Sequence, residues 1–160
     1  MKKQRVKNLA KFDLTSAKEY AFLLLKFRLR SEAELLARLK QKGFSPELSQ
    51  ETVDFLKEKK FIDDRVFARS WVASRLKRPY GLRKIKQELT QKGLAKEIIQ
   101  SSIVCAKENY NESQIVSQLA QQRFSRIKNV EPLKAKSRVY AYLIRRGFAS
   151  DLVGDIVKKL

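Results

Sequence analysis

The chain has 160 residues, with thirty-six Lys or Arg against seventeen Asp or Glu, a net charge of +19, no histidine and one cysteine. A surface so basic repels its own copies and seeks polyanions, so nucleic acid, an acidic protein or an anionic membrane is the expected partner class. Without histidine the commonest general base and metal ligand are missing, one cysteine cannot build a zinc site, and no GxxxxGK[ST] phosphate loop occurs, so no catalytic residue, metal or cofactor is expected.

Residues 1–12, MKKQRVKNLAKF, are basic and unpatterned, and read either as an arm that folds onto a polyanion or as a solubilising tail. No membrane span or secretory core is expected after them, because Lys18 and Glu19, then Lys26 and Arg28, interrupt the apolar runs. A soluble, cytoplasmic protein follows. Ser16 or Thr15 is placed to cap a first helix with Tyr20, Ala21, Leu24 and Leu25 on one face. Ser31 and Glu34 form a capping box for a second, whose face is Leu35, Leu36 and Leu39. Gly43 ends that helix, and Ser45 with Pro46 opens a third that carries Glu47, Glu51, Asp54 and Glu58.

Asp63 and Asp64 offer the cap of a fourth helix, in which Phe67, Ala68, Trp71 and Val72 recur at three- and four-residue steps until about Lys77. A divalent ion is the alternative use of that acidic pair, and the cap is favoured. Pro79, Tyr80 and Gly81 make a turn in which glycine accepts a conformation other residues resist, and Leu82, Ile85 and Leu89 then lead to Gly93. Cys105, inside Ile103-Val104-Cys105-Ala106, is expected to be a buried small residue. A helix starts at Asn111 or Ser113 and runs to about Arg126. Glu131-Pro132 separates it from Leu133 to Arg146, and Asp151 to Leu160 closes the chain. Nowhere do apolar and polar residues alternate between turn signals, so the fold class is all-α.

One pattern recurs about every fifty residues. Leu39, Lys42, Gly43, Phe44, Glu47 and Leu48 are matched by Leu89, Lys92, Gly93, Leu94, Glu97 and Ile98, and again by Leu143, Arg146, Gly147, Phe148, Asp151 and Leu152. Leu35, Ile85 and Val139 stand eight residues before the glycines; Val53, Ile103 and Val157 stand ten after; Leu56, Ala106 and Leu160 stand thirteen after. Upstream, Tyr20-Ala21, Leu24-Leu25 and Arg28 match Phe67-Ala68, Trp71-Val72 and Arg75, with a weaker copy at Val116, Leu119-Ala120 and Arg123. The pattern predicts three tandem repeats of helices A, B and C over 16–62, 63–110 and 111–160, after an arm over 1–15. The competing reading is a nine-helix globule without internal symmetry. Modules this small bury little apolar surface alone, so each leans on its neighbour and an elongated, curved array is expected.

The charge is uneven: +5 over 1–12, +2 over 13–62, +6 over 63–110 and +6 over 111–160. Arg65, Arg69, Arg75, Lys77, Arg78, Arg83, Lys84, Lys86 and Lys92 crowd helices A and B of the middle repeat, and Arg138, Arg145 and Arg146 continue the trend in the last. Such a stripe can track phosphates or an acidic protein groove, whereas a merely solvated face would mix signs. Arg28, Arg75 and Arg123 occupy matching places and suit a structural role between helices. Helix C as a DNA recognition helix is disfavoured, because in the first repeat it is rich in carboxylates. Trp71, Tyr20 and Phe67 could stack on bases, but their spacing marks them as core.

Arg28-x-Arg30-Ser31-x-x-Glu34-Leu35, Ile62-Asp63-Asp64-x-x-Phe67-Ala68-x-x-Trp71-Val72-x-x-Arg75, Gly81-x-x-Lys84-Ile85-x-x-Glu88-Leu89-x-x-Lys92-Gly93 and Leu143-x-x-Arg146-Gly147-Phe148 resemble the RecX family of RecA regulators. The likeness spans about Ala17 to Leu160 and departs at the polar stretch Gln114 to Arg126. It implies a non-enzymatic protein that lies in the helical groove of the RecA–DNA filament, opposes its extension and lowers its ATPase, strand-exchange and coprotease activities; a monomer is expected. Single- or double-stranded DNA is a further expected contact, and no membrane is. The alternative reading is a direct nucleic-acid-binding protein, architectural or transcriptional. Either partner is expected to meet the charge-based set Arg69, Arg75, Lys77, Arg78, Arg83, Lys84, Lys86, Lys92, Arg138, Arg145 and Arg146.

Overall fold

The computed structural model describes residues 12–160, so most of the expected N-terminal arm lies outside the described residues. These form nine helices and no strand: α1 Leu14–Phe27, α2 Glu32–Lys42, α3 Pro46–Glu58, α4 Asp64–Leu76, α5 Leu82–Gln91, α6 Lys96–Asn109, α7 Glu112–Ser125, α8 Pro132–Arg145 and α9 Ser150–Lys158. None is long and apolar enough to cross a membrane. In threes they make the three repeats. Each B helix ends at a glycine in the left-handed region, with φ of 108° at Gly43, 75° at Gly93 and 84° at Gly147, which is why glycine recurs there.

Two start signals differ from expectation. The first helix is capped by Asp13, whose Oδ1 accepts from Ser16 N at 2.7 Å while Ser16 Oγ accepts from Asp13 N at 3.1 Å. Ser16 is therefore the third helical residue of a capping box, and neither it nor Thr15 is the cap. Gly81 lies outside the left-handed region. It is needed because a Cβ there would stand inside 3.0 Å of Gly147 O, Gly147 C and Phe148 N. Close approach of two backbones, and no unusual φ, requires the missing side chain.

The repeated offsets are the core. Leu35, Leu39, Phe44, Val53 and Leu56 are buried, as are Ile85, Leu89, Leu94, Ile103 and Ala106, and Val139, Leu143, Phe148 and Val157, while Leu160 is half-buried. Cys105 is exposed, contrary to expectation. The buried face of α6 runs through Ile99, Ile103 and Ala106, and at 100° per residue Cys105 falls two steps beyond Ile103, on the solvent side.

The chain divides into two compact units. The first holds the described chain from residue 12 through Ala68 together with Gln91–Ile98; the second holds Arg69–Thr90 together with Ile99–Leu160. Residues of the middle repeat thus belong to both. The same joint is built once inside each unit. In the first, Asp64, the first residue of α4, accepts from the backbone N–H of Glu32, the first residue of α2, at 2.9 Å. Ser31 Oγ donates to Lys92 O at 2.6 Å, Lys92 Nζ pairs with Glu34, and Gly93 backs onto Ala33. In the second, Glu112, the first residue of α7, accepts from the N–H of Leu82, the first residue of α5, at 2.8 Å. Gly81 N donates to Arg146 O at 2.9 Å, Arg146 Nη1 donates to Arg78 O at 2.7 Å, and Gly147 backs onto Lys84. In both, an acid on the following repeat satisfies an orphan amide at the start of helix B, and the basic residue before the glycine ties the turns together.

Candidate partner-binding surface

Ten of the eleven basic candidates lie in the second unit and only Lys92 lies in the first. The second unit carries eighteen basic and six acidic side chains, a net of +12, whereas the described residues of the first carry thirteen and eleven, a net of +2. Among the described residues, the charge excess therefore sits almost wholly in one compact body. Seven candidates are exposed and make no ion pair among the described residues: Arg69 on α4, Lys77 and Arg78 just after it, Arg83 and Lys86 on α5, and Arg138 and Arg145 on α8. On α5 the apolar face Leu82, Ile85 and Leu89 is buried, which turns Arg83 and Lys86 to solvent.

The other four are engaged within the fold. Arg75 Nε pairs with Glu88 Oε2 at 2.6 Å, and the same oxygen accepts from the indole N–H of Trp71 at 2.9 Å. The Arg75 guanidinium also lies 4.4 Å from the Trp71 ring and 5.6 Å from that of Tyr80. Arg146 sits between Tyr80 and Tyr142, at 5.3 and 5.2 Å, and Arg123 follows over Tyr142 at 5.1 Å. Lys84 Nζ is 4.7 Å from the Tyr80 ring. Cations and rings thus alternate from Trp71 to Arg123 inside the second unit, an arrangement that holds positive charge beside π-faces at low cost. Trp71 is half-buried at this polar seam, while Phe67 is buried and Tyr20 half-buried. Lys92 is taken by Glu34, together with Arg28, whose two terminal nitrogens meet the Glu34 oxygens at 3.0 and 2.9 Å. Burial works against ionisation of Glu34, but the hydrogen bonds from Arg28 and Lys92 outweigh it and hold its pKa at about 2.

Asp63 and Asp64 are both used by backbone amides. Asp63 Oδ1 accepts from Arg65 N at 2.7 Å and Val66 N at 3.2 Å as the cap of α4, and Asp64 Oδ1 accepts from Glu32 N at the start of α2, whose cap is Ser31. Burial pushes the Asp64 carboxyl up despite its bond to the Glu32 amide. Among the described residues no three His, Cys, Asp or Glu side chains gather as a metal-binding group. Sequence reasoning did not single out Glu112, read Asp64 only as a cap of its own helix or a metal ligand, and gave Glu88 no role. Glu88 could have been given one: it is the only carboxylate between Arg69 and Thr90, among seven cations.

Comparison with known proteins decides the family. The models of the first, second and third three-helix domains of RecX match residues 17–56, 63–103 and 111–157. A regulatory protein RecX of Clostridium botulinum (strain Eklund 17B / Type B) is 31% identical over 160 residues, covering 98% of this chain and 74% of that protein. The chain belongs to the RecX family. A RecX of Chlorobium limicola is 28% identical over 95% of this chain and 94% of its own length. The fold is shared with a crystal structure of regulatory protein RecX, at TM-score 0.75 and 22% identity over 99% of this chain and 78% of that one. The crystal structure of RecX from Lactobacillus salivarius also has TM-score 0.75, with 20% identity over 92% of this chain and 96% of that chain. The third RecX domain includes Gln114 to Arg126, where the sequence pattern is weakest, and the helix is anchored there by the buried Val116 and Ala120.

Proposed function

We propose that this RecX-family chain is a non-enzymatic cytoplasmic regulator that lies as a monomer in the helical groove of a RecA–DNA filament. There it opposes filament extension and lowers ATPase, strand-exchange and coprotease activity, and so acts in DNA repair, recombination and the SOS response. The observation that carries the reading is the net +12 of the second unit, where seven of the candidate cations are exposed, in a chain of the family named for regulation. A filament offers many protomers and a phosphate backbone in register, so many modest contacts add up on it and do not on a free subunit. Arg69, Lys77, Arg78, Arg83, Lys86, Arg138 and Arg145 are the contacts. Arg75, Lys84, Lys92 and Arg146 hold the fold that presents them.

The test is the single-stranded-DNA-dependent ATPase of the cognate recombinase as this protein is titrated in, with binding to bare DNA followed at the same salt. ATPase that falls while bare DNA stays mostly free supports the filament as target. ATPase that falls only as the DNA becomes coated contradicts it, and direct nucleic-acid binding then accounts for the charge.

A further inference from the structure

Arg28, Arg75 and Arg123 hold the same place on helix A of the three repeats, and the first two are neutralised within their own repeat. Arg28 meets Glu34, nine residues before Gly43, and Arg75 meets Glu88, five residues before Gly93. At those two places on helix B the first repeat carries Glu34 and Arg38, the second Lys84 and Glu88, and the third Arg138 and Tyr142. The third repeat has no carboxylate at either. Its Arg123 is exposed, and the guanidinium makes no hydrogen bond or ion pair among the described residues. It lies 5.1 Å from the ring of Tyr142, the residue that stands where Glu88 stands in the second repeat. A guanidinium held against a ring is pre-ordered with its N–H donors still available, ready for a bidentate oxyanion.

We propose that Arg123 anchors a phosphate site on α7 and α8, and that the phosphate belongs to the backbone of a nucleic-acid strand. The strand supplies the counter-charge that Glu34 and Glu88 supply in the other repeats. The proposal rests on the functional reading above for its place in the filament, and its test needs no recombinase. Composition selects the occupant. Arg126 follows Arg123 by one turn and Arg138 precedes Tyr142 by one turn; both are exposed and make no ion pair among the described residues. No Asp or Glu occurs from Ser113 to Val130 or from Pro132 to Ser150, and Glu131 between them pairs with Lys134. Glu112 at the start of α7 accepts from Leu82 N–H. Gln118, Gln121 and Gln122 are exposed on α7, and such amides hydrogen-bond phosphate oxygens. A protein groove or a bilayer would call for an apolar centre, but α7 exposes no large apolar side chain. Leu133 and Tyr140 of α8 are exposed roughly half a turn away from Tyr142 around that helix. Cations and amides without carboxylates or an apolar centre match a phosphate backbone.

The experiment is binding of a fluorescein-labelled single-stranded oligo(dT), followed by anisotropy across a salt series, for wild type, Arg123→Gln and Tyr142→Glu. Circular dichroism checks that both variants fold. Tyr142→Glu gives the third repeat the carboxylate of the second. Each variant is expected to weaken binding at low salt by roughly threefold to tenfold, and to flatten the slope of log K against log salt by roughly 0.7, the share of one phosphate on a single strand. Lys107→Gln removes one positive charge from α6 of the same unit, and its slope is expected to match wild type. An unchanged slope in folded Arg123→Gln overturns the proposal. Equal flattening by Lys107→Gln reduces the effect to net charge and overturns it too. Unchanged oligonucleotide binding with lost binding to the recombinase filament would assign Arg123 to a protein carboxylate, against the proposal. Wild-type protein that leaves the oligonucleotide free even at low salt also overturns it. All four leave the filament reading standing, whereas a recombinase ATPase that this protein never lowers overturns that reading and leaves the phosphate site intact.

Discussion

Gly81→Ala tests the joint between repeats. The φ of Gly81 lies outside the left-handed region, so alanine meets no penalty there, and lower entropy of the unfolded chain alone would stabilise by about 0.5–1 kcal/mol. The structure opposes this, because the new Cβ falls inside 3.0 Å of three backbone atoms of Gly147 and Phe148, which cannot rotate away. The turn between α8 and α9 has to retreat by about 1 Å to reach ordinary contact. Retreat stretches the 2.9 Å bond from Gly81 N to Arg146 O and the 2.7 Å bond from Arg146 to Arg78 O. Overpacking costs about 1–3 kcal/mol and a weakened hydrogen bond about 1 kcal/mol, so the net loss is about 2–3 kcal/mol. Gly154→Ala is the control, since it lies inside α9 with no atom within 4 Å of the added Cβ, and it should stabilise by about 0.5–1 kcal/mol. Urea unfolding followed by circular dichroism and by the fluorescence of Trp71, the only tryptophan, reads both. A Gly81→Ala midpoint at or above wild type would refute the joint.

Because Glu34 is held at about 2 from an ordinary 4.5, its ion pairs stabilise the fold fully above about pH 4.5, and that share is lost as pH falls toward 2. After allowance for solvent screening the share is on the order of 2 kcal/mol, and Glu34→Gln should remove this part of the pH dependence in acid titrations. Glu88→Ala takes away the acceptor shared by Trp71 and Arg75; a loss of about 2 kcal/mol and a shift in Trp71 emission are expected, and unchanged emission would contradict the seam. Ser49 is fully buried, and its hydroxyl has no partner among the described residues, so Ser49→Ala should stabilise the fold by about 1 kcal/mol and raise the urea midpoint. Arg83→Glu with Lys86→Glu should weaken inhibition of the recombinase ATPase about tenfold and leave the unfolding midpoint unchanged, since both side chains are exposed and make no ion pair among the described residues.

The repeats were legible because their signals are local. A left-handed residue after each B helix demands glycine, and apolar offsets of eight before, ten after and thirteen after it follow from helical periodicity alone. The division of labour among the basic residues was not legible, because it depends on partners far off in the chain. Lys92 pairs with Glu34, 58 positions away, and Arg146 reaches Arg78, 68 positions away. Charge counting treated both as surface, although their shared place before a repeated glycine already marked them as structural. Gly81 misled for a related reason: its neighbour in space is another repeat's turn, and sequence shows only the proline and tyrosine beside it. Cys105 misled because a short apolar run was read as one buried patch, while a helix turns half of such a run to solvent.

The measurement that bears most directly on the functional account is growth of single fluorescent recombinase filaments on single-stranded DNA, recorded as this protein is added. The account predicts that extension slows or stops at protein concentrations far below those that coat the DNA, and that Arg83→Glu with Lys86→Glu restores it. Extension that continues at the same rate under saturating protein would contradict it.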